Sequence, residues 1–159
     1  MKRDTAETPF FADGLKFSCT RCSSCCRYEP GFVFLSQVDL ALLVKGLQMG
    51  YTETMKTYCR WVKAGGDLEW LSLKEKSGYD CIFWQGGCSV YEYRPLQCRA
   101  FPFWHSNLAS PEAWEAAAAF CPGMGKGEVH TASVIHNWLA HRRAEPPITR
   151  KAKSPGGEC

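Results

Sequence analysis

The chain has 159 residues, 45% of them hydrophobic and 22% charged, which excludes a disordered chain and predicts a single globular domain. Lysine and arginine together exceed the acidic residues by three, and because no basic cluster lies outside the C-terminal tail, nucleic-acid binding is not indicated. No apolar run reaches the roughly 20 residues of a membrane helix or follows the N-terminus as in a signal peptide, so we expect a cytoplasmic protein without a membrane partner.

The first half of the chain predicts two short strands and two helices. The first helix begins where Ser36 and Asp39 have the spacing of an N-terminal cap. The second helix is stopped by the pair Gly65–Gly66. In chain order, the predicted elements are an N-terminal arm at residues 1–16, strands at 15–17 and 32–35, and helices at 36–49 and 52–64.

The second half places cysteines on turns and short strands ahead of two further helices. Ser110–Pro111 is a strong helix start, because serine caps a helix and proline fits its first position. In chain order, the predicted elements are a strand at 68–73, a hairpin with strands at 80–84 and 88–91, a short turn or helix from Arg94–Pro95, helices at 110–120 and 131–143, and a flexible tail at 144–159. Together these elements predict a small, irregular α+β domain at residues 17–143, with about four helices and short strands.

Four cysteines fall within eight residues, in Cys19-Thr-Arg-Cys22-Ser-Ser-Cys25-Cys26. In a reducing cytoplasm such density favours metal binding over disulfides. A C-x2-C step lets two thiolates converge on one ion while amides of the turn point at the sulfurs. Adjacent side chains diverge in extended backbone, so we expect Cys25 and Cys26 not to bind the same metal. The predicted ligands of this metal-stabilised domain are Cys19, Cys22, Cys25, Cys26, Cys81, Cys88, Cys98 and Cys121.

The cysteine spacing leaves the identity of the metal open. Structural zinc usually takes two C-x2–4-C pairs, whereas C-x2-C-x2-C with a distant Cys121-Pro122 is typical of ferredoxins that bind a 4Fe-4S cluster. Eight thiolates would instead suffice for two zinc sites, each with a net charge of about −2. Arginines close to the candidate ligands would offset this charge, namely Arg21, Arg27, Arg94 and Arg99.

A longer pattern of residues resembles a known family. It consists of Cys19-x2-Cys22-x2-Cys25-Cys26, then Cys81-x6-Cys88-x2-Tyr91-x2-Arg94-Pro95-x2-Cys98-Arg99-x-Phe101-Pro102, and then Cys121. Over roughly residues 17–121 the chain resembles the YkgJ-type cysteine cluster proteins, which implies a domain that chelates zinc or iron. The same domain occurs in the longer flagellin lysine N-methylases, whose association with an iron-sulfur cluster implies, as an alternative, an iron-sulfur-dependent enzyme or enzyme subunit.

A third reading is a structural zinc scaffold that binds another protein through its aromatic surface. The sequence assigns no substrate, reaction or particular protein partner, and it leaves open whether the protein is an enzyme.

Some reactive side chains are predicted to lie outside the metal site. Cys59 falls on the inner face of a predicted helix and is expected to act as a small apolar core residue. Cys159 ends the tail and is expected to be an exposed thiol. Asp80 is expected to be solvated or paired with an arginine, because a carboxylate beside thiolates adds like charge.

Overall fold

The structure is a computed structural model that describes residues 8–152 and divides them into two compact units. The first unit contains residues 8–22 and 100–141, and the second contains residues 23–99 and 142–152. No helix in this described part of the chain is both long enough and apolar enough to cross a membrane.

Helices and short antiparallel strands occur together, so the predicted α+β class is confirmed. The strands are β1 (Leu15–Phe17), β2 (Cys59–Gly65), β3 (Leu68–Leu73), β4 (Met124–His130) and β5 (Thr149–Lys151). The helices are α1 (Gln37–Leu47), α2 (Tyr51–Tyr58), α3 (Leu96–Arg99), α4 (Pro111–Ala118) and α5 (Ala132–Ala144). Two 3-10 turns, Ser24–Cys26 and Tyr91–Tyr93, accompany them.

The first unit contains a two-stranded antiparallel sheet of β1 and β4. Its core buries Phe11, Trp114 and Ile135, the last of them completely. Phe11 belongs to the arm predicted at residues 1–16, so this part of the arm packs into the unit instead of extending from it. Residues 1–7 lie outside the described residues.

The second unit contains a three-stranded antiparallel sheet in the order β2-β3-β5. Trp61 of β2 pairs with Leu71 of β3, and the buried side of this sheet packs on α1. Leu35, Leu43 and Leu71 are almost completely buried in the resulting core. Burial of these apolar side chains removes hydrocarbon from water and supplies the main stabilisation of the unit.

Two helix caps predicted from sequence are present. Ser36 Oγ accepts the Asp39 N–H at 3.1 Å while Asp39 Oδ2 accepts the Ser36 N–H at 2.9 Å, a reciprocal capping box. Ser110 Oγ accepts the Ala113 N–H at 3.2 Å at the start of α4. These local bonds satisfy amides that have no partner inside the helix, which is why the predicted starts are correct.

The helix predicted at residues 52–64 is wrong in its second half. Helix α2 ends at Tyr58, and the chain continues directly as strand β2. Gly65 and Gly66 have φ values of 115° and 55°, which glycine adopts at low cost. They form the turn that folds β2 back onto β3, so the glycine pair marks a β-hairpin and not a helix end.

The segment predicted as a flexible tail, residues 144–159, is ordered where the structure describes it. The Ile148 N–H donates to Leu35 O at 2.8 Å, and Ile148 O accepts the Leu71 N–H at 2.9 Å. Strand β5 then pairs with β3 along its length. The sheet therefore includes a strand that was not predicted, because the prolines of this region indicated a tail. Cys159 lies outside the described residues.

The predicted strand at residues 32–35 and both strands of the predicted hairpin form only isolated bridges, and β4 was not predicted. The residues of the predicted hairpin use their amides in local turns, as when the Trp84 N–H donates to Cys81 O at 2.8 Å. Amides engaged in this way are not available to a continuous ladder. The bridges are Trp84–Cys88 and Glu75–Cys81 in the predicted hairpin, and Phe34–Ser72 in the strand predicted at residues 32–35.

Candidate metal centre

Five of the eight predicted ligands belong to the second unit, and three belong to the first. The nine cysteines within residues 8–152 are all thiols, with no disulfide among them. The five in the second unit are Cys25 and Cys26 on the 3-10 turn, Cys81 and Cys88 in the loop after β3, and Cys98 on α3. The three in the first unit are Cys19, Cys22 and Cys121.

Cys25 and Cys26 lie side by side, with their Sγ atoms 3.8 Å apart. The expectation that these side chains diverge is wrong, because the backbone is a 3-10 turn here and not an extended strand. Zn–S bonds of about 2.3 Å in a tetrahedral site place two sulfurs about 3.8 Å apart. The pair therefore has the separation that two thiolates on one metal ion require.

Cys81 is joined to this turn through the backbone. Its N–H donates to Cys26 O at 2.8 Å. The chain then turns, and Trp84 forms a bridge with Cys88. The bond connects Cys81 directly to the Cys25–Cys26 turn, and the bridge places Cys88 in the same loop as Cys81.

Cys98 is positioned by a residue that the sequence did not indicate as part of the site. It lies on the single turn of α3, whose first amide, Leu96 N–H, donates to Asp39 Oδ1 at 2.6 Å. Asp39 is completely buried, and it was predicted only as a cap of α1. Since 57 positions separate Asp39 from Leu96, no local pattern in the sequence reveals this contact.

Hydrogen bonding and burial set the protonation of the thiols in the second unit. The hydrogen bond between Cys25 and Cys26 raises the pKa of Cys26 and lowers the pKa of Cys25 to about 7. Burial raises the pKa of Cys98, and the nearby Cys81 and Cys25 thiols raise this pKa further. Burial also raises the pKa of Cys81 and of Cys88. The unit thus favours one thiolate at Cys25, and additional thiolates require a cation.

Arg94 contributes positive charge to this group of thiols. Its charge lowers the pKa of Cys25, Cys88 and Cys98, although other causes outweigh it at the last two. The guanidinium is held by a bond from Nε to Tyr91 O at 2.8 Å, and its carbon lies 3.6 Å from the centre of the Tyr91 ring. The sequence proposed four arginines for this role, and the contacts support it for Arg94.

Two other arginines of that set bind carboxylates. Arg27 pairs with Asp80 at 2.9 Å, which confirms that Asp80 has an arginine partner. Arg99 lies 4.0 Å from Asp39. Their positive charge is therefore directed at carboxylates.

The first unit holds its cysteine segments with backbone bonds. The Ser18 N–H donates to Gly123 O at 3.2 Å, so the residue before Cys19 is fixed beside the segment that follows Cys121. The Arg21 N–H donates to Cys19 Sγ at 3.4 Å. An amide directed at sulfur is the geometry expected of a C-x2-C turn.

Cys59 is a core residue, as predicted, although it lies on a strand. It is 6% exposed and packs in the core of the second unit. Burial raises its pKa to about 11. Cys59 therefore belongs to the hydrophobic core and is not counted among the candidate ligands.

The donor set restricts the metals that fit. Within residues 8–152, no group of three or more His, Cys, Asp or Glu side chains is placed so that it could hold a metal ion. All four histidines of the sequence, His105, His130, His136 and His141, fall outside the second unit. A site in that unit would consist of sulfur ligands, which suit zinc and iron-sulfur centres and disfavour magnesium and calcium.

Comparison with known families gives a match over most of the chain. The family model named CxxCxxCC, with the description "Putative zinc- or iron-chelating domain", matches residues 18–122. The matched range covers roughly two thirds of the chain and includes all eight candidate cysteines. No solved structure matches the chain.

Proposed function

Because the chain belongs to the CxxCxxCC family of zinc- or iron-chelating domains, we propose that its second unit binds one zinc or iron ion through cysteine thiolates. The observation that carries this proposal is the 3.8 Å separation of the Cys25 and Cys26 sulfurs. It equals the spacing of two thiolates on one tetrahedral ion. Further ligands come from Cys81, Cys88 and Cys98. The charges of Cys81 and Cys98 act on Cys26, and the charge of Cys25 acts on Cys88.

The spacing favours a single ion over a 4Fe-4S cluster. In such a cluster each cysteine binds its own iron, so the ligand sulfurs stand farther apart than they do on one ion. An iron-sulfur centre, with the methylase-related enzyme role it would imply, is therefore the second candidate. Both kinds of centre are coordinated by thiolates. A reducing cytoplasm permits this coordination because it keeps the cysteines reduced.

The role we propose for the ion is structural. From residue 74 to residue 95 the second unit has only isolated bridges and one 3-10 turn as regular structure. A closed thiolate site supplies folding free energy to such a loop-rich segment. The same closed site, with exposed aromatic side chains nearby, is compatible with the scaffold role in protein binding.

Cys19, Cys22 and Cys121 remain predicted ligands. Their backbone segments are fixed in the first unit, and their contribution is decided by the number of ions bound per chain. If they form a second site, the metal content exceeds that of a chain in which only the second unit is loaded.

A cysteine substitution with a matched control tests the proposal. We expect Cys98→Ser to lose the bound zinc or iron, because it removes a thiolate from the group. Cys59→Ala, which alters a core thiol, retains the metal. The measurement is metal content per folded chain, with folding checked by circular dichroism. Equal metal content in the two variants would overturn the assignment of the site to the second unit.

A further inference from the structure

The residues next to two candidate ligands form an ion pair. Arg27 directly follows Cys26, and Asp80 directly precedes Cys81. Arg27 Nε lies 2.9 Å from Asp80 Oδ1, and Nη2 lies 3.5 Å from Oδ2. The two-point contact fixes the orientation of the guanidinium as well as its position.

Aromatic rings fix the arginine of this pair. The guanidinium carbon lies 3.6 Å from the centre of a Trp84 ring and 4.7 Å from that of Tyr28. Arg27 Nη1 also donates to the Tyr28 hydroxyl at 3.1 Å. A planar cation stacked on an indole and held by a carboxylate has little rotational freedom, so the Arg27–Asp80 pair is an ordered contact.

A backbone hydrogen bond joins the same two segments. The Cys81 N–H donates to Cys26 O at 2.8 Å. The ion pair and this bond act one residue apart, and each restricts the segments that carry the two sulfurs. The charge of Arg27 is neutralised by Asp80, so the pair contributes position and not countercharge.

We infer that Arg27 and Asp80 are positioning residues, which hold the Cys25–Cys26 turn against the Cys81 loop before a metal binds. The expected effect on metal affinity rests on the proposed function, because a pre-organised set of thiols binds an ion more tightly. Its structural part, the fixing of the two segments, does not require the metal.

Zinc affinity and amide exchange together test the pair. Asp80→Asn keeps the shape of the side chain but removes its charge, and Arg27→Lys keeps the charge but loses the two-point contact and the stacking. We expect each to weaken zinc binding by about 10- to 100-fold, as substitutions of residues that orient metal ligands do. We also expect faster hydrogen exchange at the Cys81 amide in reduced, chelator-treated protein.

The second unit supplies a matched control. Arg150 Nε lies 2.6 Å from Glu69 Oε2, and the Arg150 guanidinium carbon lies 4.2 Å from the centre of a Trp61 ring. This pair joins β3 and β5, neither of which carries a cysteine. Glu69→Gln and Arg150→Lys should therefore leave both zinc affinity and exchange at the Cys81 amide unchanged.

The outcomes separate this inference from the proposed function. If wild-type protein binds zinc and the Asp80 and Arg27 variants bind it equally tightly, the positioning role is overturned. If wild-type protein binds neither zinc nor iron, the proposed function fails, and exchange at the Cys81 amide still decides whether the pair holds the segments. An unprotected Cys81 amide in the reduced, chelator-treated wild type, or equal exchange in the Asp80→Asn and Glu69→Gln variants, overturns the inference itself.

Discussion

Asp39 is a buried carboxylate whose two oxygens bind different segments of the second unit. Oδ2 accepts the Ser36 N–H and hydroxyl, both at 2.9 Å, while Oδ1 accepts the Leu96 N–H at 2.6 Å. A buried amide that loses its acceptor costs about 1–3 kcal/mol. The residue therefore links the start of α1 to the start of the helix that carries Cys98.

Asp39→Ala should lower the free energy of unfolding by about 3 kcal/mol, because two buried amides lose their acceptor. The measurement is urea unfolding followed by circular dichroism. Asp67→Ala is the control, since Asp67 is exposed and a surface change of this kind costs less than about 0.5 kcal/mol. Equal losses in the two variants would contradict the linking role of Asp39.

Cys59 should react with iodoacetamide more slowly than Cys19 once bound metal has been removed. Burial raises its pKa to about 11, so little reactive thiolate exists at pH 8, whereas Cys19 is exposed. The raised pKa also means that Cys59 contributes stability below its unfolded pKa of about 9, and that this contribution declines as the pH rises to about 11.

Mass spectrometry of labelled peptides measures these rates. Cys59 labelling should accelerate as the pH approaches 11. Labelling of Cys59 at the same rate as Cys19 at pH 8, in folded protein, would show that the thiol is not buried as described.

The glycine-containing strand β4 was not predicted from the sequence, whereas the helices with local caps, α1 and α4, were predicted. Helices α1 and α4 are each preceded by a serine whose hydroxyl oxygen accepts the N–H of the residue three positions later. This signal is complete within four residues. Strand β4 contains Gly125 and Gly127 with positive φ values, and glycine lowers the strand propensity on which prediction depends. Its pairing with β1 comes from tertiary contact across the first unit.

Gly127 holds β4 close to the residue that precedes Cys19. A side chain there would collide with Ser18, whose Oγ accepts the Glu128 N–H at 3.0 Å. Gly127→Ala should therefore lower the free energy of unfolding by about 1–3 kcal/mol more than a glycine change without such a collision.

Gly66→Ala is the matched control for this change. Gly66 also has a positive φ, 55°, but a Cβ added to it would meet no atom within 4 Å. Both substitutions place an alanine at a positive φ value. The difference between their losses in free energy of unfolding, measured with urea, therefore reports the collision with Ser18. No difference between the two would mean that the Ser18 contact does not stabilise the first unit.

At the scale of the whole molecule, the sequence located the candidate ligands but not what holds them. The spacing of Cys19, Cys22, Cys25 and Cys26 is typical of metal ligands, and the eight cysteines remain a prediction. The contacts of Asp39 with Leu96 and of Arg27 with Asp80 span 57 and 53 positions, and pairing at such separations is set by the fold. The same limit applies to the pairing of β5 with β3, in which Glu69 and Arg150 are 81 positions apart.

The division of the chain into two units determines which side chains are available to the proposed metal site. The second unit contains five cysteines and no histidine, so a metal bound there is held by sulfur. Burial raises the pKa of Cys81, Cys88 and Cys98, and a bound cation would relieve this cost by stabilising the thiolates. The metal and the fold of this unit are therefore expected to stabilise each other.

The most direct test is elemental analysis of anaerobically purified protein for zinc, iron and acid-labile sulfide, with an ultraviolet-visible spectrum of the same sample. We expect a stoichiometric amount of zinc or iron without sulfide, lost in Cys98→Ser and kept in Cys59→Ala. Iron with sulfide and a brown charge-transfer band would replace the single ion with an iron-sulfur cluster. If neither metal is found, and all ten cysteines can be titrated as thiols in the folded protein, metal binding by these cysteines is contradicted.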